Sequence, residues 1–349
     1  MATAADPRGE LAASGAIHHG GAIHRSGVIH RVAAVDAVRR ALRQGAEMTL
    51  PAELASVAAI RGGVLTRKTA LQNGCTDGQL TKWIANCEVR SLWRGILTLN
   101  PEPTGAELRH RELAHAISVA YAGRLAVSHH SALLMAGLPT YDVDLDTVRL
   151  VRRNGGDSLA SPGVRISRCA IDLPTREVDH AVVVHEAIAV AQVARESGAD
   201  AGVVAADAAL QRGTVSCEQL EAAVRLLDLV RGSPRARQML ELADGRSESP
   251  GESLLRLIAV RGGVPVEPQY IVRDAGGAFL ARCDLRVTGT NVLVEFDGKL
   301  KYKDPEALFA EKQREDAVRR AEWRMERFVW AHLSNPAEVV RRLRRAAGL

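Results

Sequence analysis

The chain has 349 residues, 46% of them hydrophobic and 25% charged, with a formal net charge of +5, which is room for two or three domains with cores of their own. No apolar run reaches the roughly 18–20 residues of a membrane span, and no charged-then-apolar signal pattern opens the chain. Five scattered cysteines with no C-x-x-C pair argue against a disulfide framework or a zinc site, so a cytoplasmic protein is expected.

Residues 1–46 carry +3 and repeat Gly15-Ala-Ile-His18, Gly21-Ala-Ile-His24 and Gly27-Val-Ile-His30. They read as a low-complexity mobile leader, with a metal-binding tract as the alternative and a short helix near Val35–Arg43.

Residues 47–105 hold three short helical patterns and a strand pair. The first runs from about Pro51 to Ile60, and the second from near Thr66 to Asn73-Gly74. The third follows Thr76-Asp-Gly-Gln79, a capping box, with Leu80, Trp83, Ile84 and Cys87 spaced as one buried stripe. The opposite face shows Gln79, Lys82 and Asn86. Val89–Leu92 and Ile96–Leu99 flank Arg94-Gly95 as a hairpin, completing winged helix-turn-helix order. The stretch from Gly63-Val-Leu-Thr-Arg through Leu92-Trp-Arg-Gly-Ile-Leu resembles the N-terminal winged helix of AbiEi-type antitoxins. That resemblance implies DNA binding, with Gln79, Lys82, Asn86 and Arg94 as contacts. A net charge of only +1 keeps a protein-interaction module as the alternative.

Residues 106–230 read as an α/β middle domain, and residues 106–246 carry a net charge of −2. Ser128-His-His-Ser opens a helix ended by Gly137-Leu-Pro139, and the spacing predicts a hairpin of Thr147–Arg153 with Val164–Arg168 around Asn154-Gly-Gly156. The Ser-His-His-Ser and Gly-Leu-Pro runs resemble the segment after the winged helix in AbiEi-like proteins with nuclease tails. His129 and His130 have no metal-spaced partner nearby and read as structural. A further helix is capped by Ser216-Cys-Glu-Gln219, and residues 231–248 read as a linker helix.

In residues 249–349, Ser249-Pro-Gly-Glu252 starts a helix that Gly262-Gly263 ends. Three strands are expected, about Gln269–Arg273, Phe279–Val287 and Val292–Asp297. If Thr288–Asn291 is a four-residue loop, Val287 faces Val292 and Asp284 faces Glu295, with Asp297 on the same strand face. Carboxylates gathered in this way repel unless a cation lies between them, and a hard divalent ion, Mg²⁺ or Mn²⁺, is the natural one. A surface charge ladder with Arg282 and Arg286 is the alternative. A charged helix from about Glu306 to Ala321, a strand over Trp323–Trp330 and a basic helix over Pro336–Ala347 complete the chain.

Ser249-Pro-Gly-Glu252, Arg282-Cys-Asp284, Val294-Glu-Phe-Asp-Gly298, Glu311-Lys-Gln-Arg-Glu-Asp316 and Trp330 together resemble the very-short-patch-repair-like branch of the PD-(D/E)xK nucleases. The resemblance implies a restriction-endonuclease-like α/β domain in a multidomain α+β chain. It also implies metal ligation by Asp284 and Glu295. The reading of the residues adds Asp297 as a further ligand or water-orienting base, Glu252 as a ligand or simply a capping-box residue, Lys299 to stabilise developing charge and Arg314 to clamp phosphate. The chain departs from the wider superfamily at Asp297, where lysine is usual although its absence is common in this branch, so Lys299 or Lys301 would have to substitute. It departs from its relatives at Glu322, where glycine is usual, and at Glu326, where an apolar residue is usual. The reading is a metal-dependent endonuclease acting on DNA in repair or defence. A non-catalytic antitoxin-type regulator and an RNA nuclease remain open.

Overall fold

The computed structural model describes residues 17–18, 50–229, 232–298, 316 and 318–349. The leader apart from Ile17–His18, the helix near Val35–Arg43, most of the charged helix, and Lys299, Lys301 and Arg314 lie outside the described residues. What is described is a mixed α/β chain with sheets of two, three, six and four strands.

After β1 (Ile17–His18) come α1 (Ala52–Ile60), β2 (Val64–Thr66), α2 (Arg67–Gln72), α3 (Asp77–Ala85), β3 (Arg90–Trp93) and β4 (Ile96–Thr98). The strands pair in the order β2-β4-β3. Thr66 caps α2, and Thr76 with Gln79 forms the expected capping box on α3. The expected stripe on α3 is only half realised. Leu80 and Trp83 are buried, but Ile84 is 38% exposed and Cys87 is exposed. The helix stops at Ala85, Cys87 turns left-handed at φ 59°, and Val89 fills the core in its place.

The middle region runs α4 (Ala106–Ala120), β5 (Leu125–Val127), α5 (His129–Met135), β6 (Thr140–Tyr141), β7 (Val148–Arg152), β8 (Leu159–Ser161), β9 (Val164–Arg168), β10 (Thr175–Val178) and β11 (Ala181–Val184). Helices α6 (Glu186–Ser197), α7 (Ala199–Gln211), α8 (Cys217–Asp228) and α9 (Pro234–Leu242) follow. β1 pairs with β6, and the larger sheet has the order β10-β11-β5-β7-β9-β8. The expected hairpin of Thr147–Arg153 with Val164–Arg168 is not formed: β7 and β9 are parallel. The chain reverses twice, because β8 intervenes and makes the hairpin with β9 about Gly163. Helix α9, in the segment read as a linker, buries Ala236 and Met239 in the same core as α6 and α7. That core also takes in Val64 and Ile96 from the first region and Leu257 from the last, so the regions are packed together.

Buried histidines hold α5 to the sheet. His110 donates from Nδ1 to Leu145 O at 2.7 Å and accepts the Ser131 hydroxyl on Nε2 at 2.7 Å, while His130 Nε2 donates to Thr147 O at 3.1 Å. Burial, with His110 and Arg149 nearby, pushes His130 from 6.5 down to about 4. Burial lowers His110 as well. The fold therefore favours neutral imidazole, a contribution fully present above pH 6.5 and lost as pH falls toward 4. Urea unfolding at pH 4.5 should show a stability lower than at pH 7.5 by roughly 3 kcal/mol from His130 alone. His130→Gln should remove that part of the pH dependence, and an unchanged slope in this variant would exclude His130 as its source.

The last region comprises α10 (Pro250–Arg261), β12 (Val266–Arg273), β13 (Phe279–Val287), β14 (Val292–Phe296), β15 (Arg324–Phe328), α11 (Trp330–Leu333) and α12 (Pro336–Ala347). Its sheet order is β12-β13-β14-β15, with β15 parallel to β14. Two departures noted in the sequence have visible accommodations. Glu322 takes the left-handed conformation, φ 61°, that glycine would adopt freely, and Glu326 pairs with Arg342 at 2.7 Å.

Candidate metal and nucleic-acid sites

The β13–β14 hairpin has the expected register. Leu285 pairs with Val294 and Arg286 with Leu293, so the same ladder sets Asp284 beside Glu295. One Asp284 oxygen accepts the Phe296 backbone N–H at 2.7 Å. On the other side of β13, Pro268 pairs with Leu285 and Tyr270 with Cys283, which puts Gln269 opposite Asp284, at φ 53°.

Helix α10 brings in the third carboxylate. Ser249 accepts from the Glu252 N–H at 3.2 Å, and Pro250 occupies the first turn. Gly251 lies against the Phe296 ring, where a Cβ would enter the ring's van der Waals envelope. Gly251→Ala should cost about 1–3 kcal/mol through overpacking, and it should move Glu252 away from the strands. Differential scanning calorimetry would read the loss, and an unchanged midpoint would show that the helix start yields without strain.

Glu252 is 7% exposed and is satisfied without a cation. Its Oε2 accepts the Glu248 N–H at 2.9 Å and Gln269 Nε2 at 3.0 Å, so it reaches one residue beyond the N-cap that the capping-box reading named. Glu295 is paired with Arg327 of β15 at 3.2 Å. Asp297 follows the strand end, half-buried, its N–H donating to Phe328 O at 2.8 Å. Among the described residues, no three His, Cys, Asp or Glu side chains stand as a ready-made metal set.

The charge-ladder alternative does not form. Arg282 goes to Glu248 at 3.0 Å, and Arg286 stacks on Tyr270 and Trp323 at 4.5 and 5.2 Å. Among the described residues Asp284 has no basic partner. Burial, the Glu252 charge and the Glu295 charge together push its carboxyl up to about 7, against the lowering effect of the Phe296 N–H. Burial likewise raises Glu252. An exposed ladder would not do this.

On α3, Gln79, Lys82 and Asn86 are exposed, as expected. Gln79 Oε1 is occupied by the Thr76 N–H at 2.8 Å, and Asn86 Nδ2 donates weakly to Glu88 at 3.4 Å. Lys82 is the cation this face presents. Arg94 is exposed at the β3–β4 turn, with its guanidinium 5.4 Å from the Trp93 ring centre. Sequence reasoning missed Gln269, Glu248 and Arg327. The first takes its position from an irregular β12, and the last arrives by parallel pairing across a long connection.

No family model matches this chain. Two proteins of Mycobacterium tuberculosis, named Uncharacterized protein MT2308 and Uncharacterized protein Rv2248, are each 29% identical to it over 133 residues. The matched segment is 38% of this chain and 49% of theirs, so the chain spans about half the length of the curated relatives it matches. Among the described residues, no helix is long and apolar enough to cross a membrane.

Proposed function

We propose that the last region is a PD-(D/E)xK-type nuclease domain that hydrolyses phosphodiesters in DNA with a divalent cation, and that the first region is a winged helix that binds the DNA. The observation that carries the reading is Asp284, a half-buried carboxyl among Glu252, Glu295 and Glu248 with no basic partner among the described residues.

The residues fit a hard cation such as Mg²⁺ or Mn²⁺, since every candidate ligand is a carboxylate oxygen. Asp284 and Glu295 would hold it, with Asp297 at the strand end and Glu252 behind. When bound it would act as a Lewis acid on a phosphoryl oxygen and offset the charge of the phosphate. The chain's own residues orient the site: the Phe296 N–H fixes one Asp284 oxygen, and Gln269 holds Glu252 in place. Lys299 and Arg314, outside the described residues, are the cations expected to meet the phosphate. A cytoplasmic setting agrees with the five free cysteines.

The second reading, a non-catalytic DNA-binding regulator with this fold as its scaffold, draws support from the Glu295–Arg327 pair, which neutralises one ligand internally. Supercoiled plasmid and single-stranded DNA incubated with the protein in Mg²⁺, Mn²⁺ or EDTA decide between the two. Cleavage that needs the metal, together with a raised thermal midpoint, is the expected result. Neither cleavage nor a shift in midpoint would leave only the scaffold.

Lys82→Ala should weaken DNA binding across sequences and flatten its salt dependence by about one unit of slope, as loss of one phosphate contact does. Fluorescence anisotropy over a salt series measures both. Unchanged affinity and slope would point to a protein-interaction role for this region.

A further inference from the structure

A second candidate site lies in the middle region. A cleft of about 710 Å³ opens between β7, β9, α6 and the start of α9. Its lining includes four arginines, Arg149, Arg168, Arg195 and Arg235, against a single carboxylate, Glu196. This is a local excess of positive charge in a stretch whose net charge is −2. Arg149 is 9% exposed, and its Nε is buried with no hydrogen-bond partner, although another nitrogen of the same guanidinium pairs with Glu196. The Arg168 side chain makes no hydrogen bond or ion pair among the described residues, and Arg235 reaches only the Glu196 carbonyl, at 3.5 Å.

We propose that this cleft is a phosphate-binding site for a ligand of nucleotide size. Guanidinium groups in a partly enclosed space match phosphate oxygens by paired N–H bonds, and they keep their charge at any physiological pH. The volume lies in the usual range for small-ligand sites and is too small for a duplex. Val151, Leu227 and Pro234 give the cleft apolar walls for a base or sugar. Ser233 and Pro234 at the start of α9 complete the lining. Glu196 acts as an internal counter-ion. It engages Arg149 with one oxygen and stands 3.2 Å from His129 Nε2 with the other, so an incoming phosphate displaces it from Arg149. The site shares no residue with the acidic cluster and does not depend on nuclease activity.

Titration of the full-length protein with ATP, and with oligonucleotides bearing a 5′-phosphate or a 5′-hydroxyl, tests this by calorimetry and anisotropy. The parent protein should bind ATP or prefer the phosphorylated strand over its hydroxyl twin. ATP binding without strand preference assigns the site to a free nucleotide, whereas preference for the phosphorylated strand assigns it to a strand end. Combined Arg168→Gln and Arg195→Gln should weaken that binding at least tenfold at an unchanged thermal midpoint, because both side chains are partly exposed. Glu196→Gln should tighten it about threefold or more, the opposite of what loss of a merely structural pair would do. Parent protein that neither binds ATP nor prefers the phosphorylated strand over its hydroxyl twin, a double variant that binds as the parent does, or a Glu196→Gln variant that binds more weakly would each overturn the proposal.

Discussion

Asp284→Asn should reduce metal-dependent cleavage by ~10²–10³-fold or more, the lower bound being the scale seen when one polar group that stabilises the transition state is removed from a hydrolytic centre. Asparagine keeps the size of the side chain and can still accept the Phe296 N–H, so the hairpin should persist. What disappears is the anionic ligand. DNA affinity should change little, because Lys82 and Arg94 belong to another region. Stability should move the other way. In the parent, Asp284 holds its proton up to about 7, whereas an unfolded chain releases it near 3.8. The native state therefore binds more protons between those values, and the contribution, fully present below pH 4, is lost as pH rises through 7. At pH 8 without metal the variant should be more stable by on the order of 1–2 kcal/mol. Mg²⁺ should raise the parent's thermal midpoint and leave the variant's unmoved. A variant that still cuts at the parent's rate would remove Asp284 from the site.

Asp207→Ala should cost about 3–5 kcal/mol, the largest stability loss anticipated for a single polar side chain here. Asp207 is 1% exposed on α7, and its carboxylate accepts from Ser253 Oγ at 2.7 Å, Arg256 at 2.8 Å and the Asp244 N–H at 2.7 Å. Ser253 and Arg256 belong to α10, so this group joins the middle region to the last one. Burial raises the Asp207 carboxyl even with Arg256 beside it, which shows that pairing only partly offsets desolvation. Removing one partner is far worse than removing both, because the Arg256 charge, 6% exposed, would be left without its counter-ion. Urea unfolding of Asp207→Ala, Arg256→Leu and the double variant forms a cycle, in which the double variant should lose less than the sum of the singles. Strict additivity would mean that the two side chains act independently.

The legible parts of this chain were those whose physics is local. The caps Thr76–Gln79, Ser216–Gln219 and Ser249–Pro250 each announce a helix start in a few residues, and the helices begin there. The register that sets Asp284 beside Glu295 followed from one short loop, Thr288–Asn291. The parts missed depend on distant segments. Nothing near Val164–Arg168 reveals that β8 takes the hairpin partnership and leaves β9 parallel to β7. Arg327 pairs with Glu295 only because β15 returns to the sheet after a long crossover, and Gln269 reaches Glu252 from a left-handed position no periodicity encodes. The arginine cleft draws on two strands and four helices, so no window of sequence contains it.

The parallel alignment of β15 on β14 also bears on how the chain is made. Parallel neighbours require a crossover, so β14 leaves the ribosome well before the strand that covers it. Val292, Leu293 and Val294 are fully buried in the finished sheet, and until residues 324–328 emerge they form an apolar strand with an open edge. Translation halted between residues 297 and 323 would release a product with that edge bare, suited to pairing with its own copies and to capture by chaperones and proteases. Nonsense mutations in this interval should therefore yield aggregated or degraded protein rather than a stable fragment.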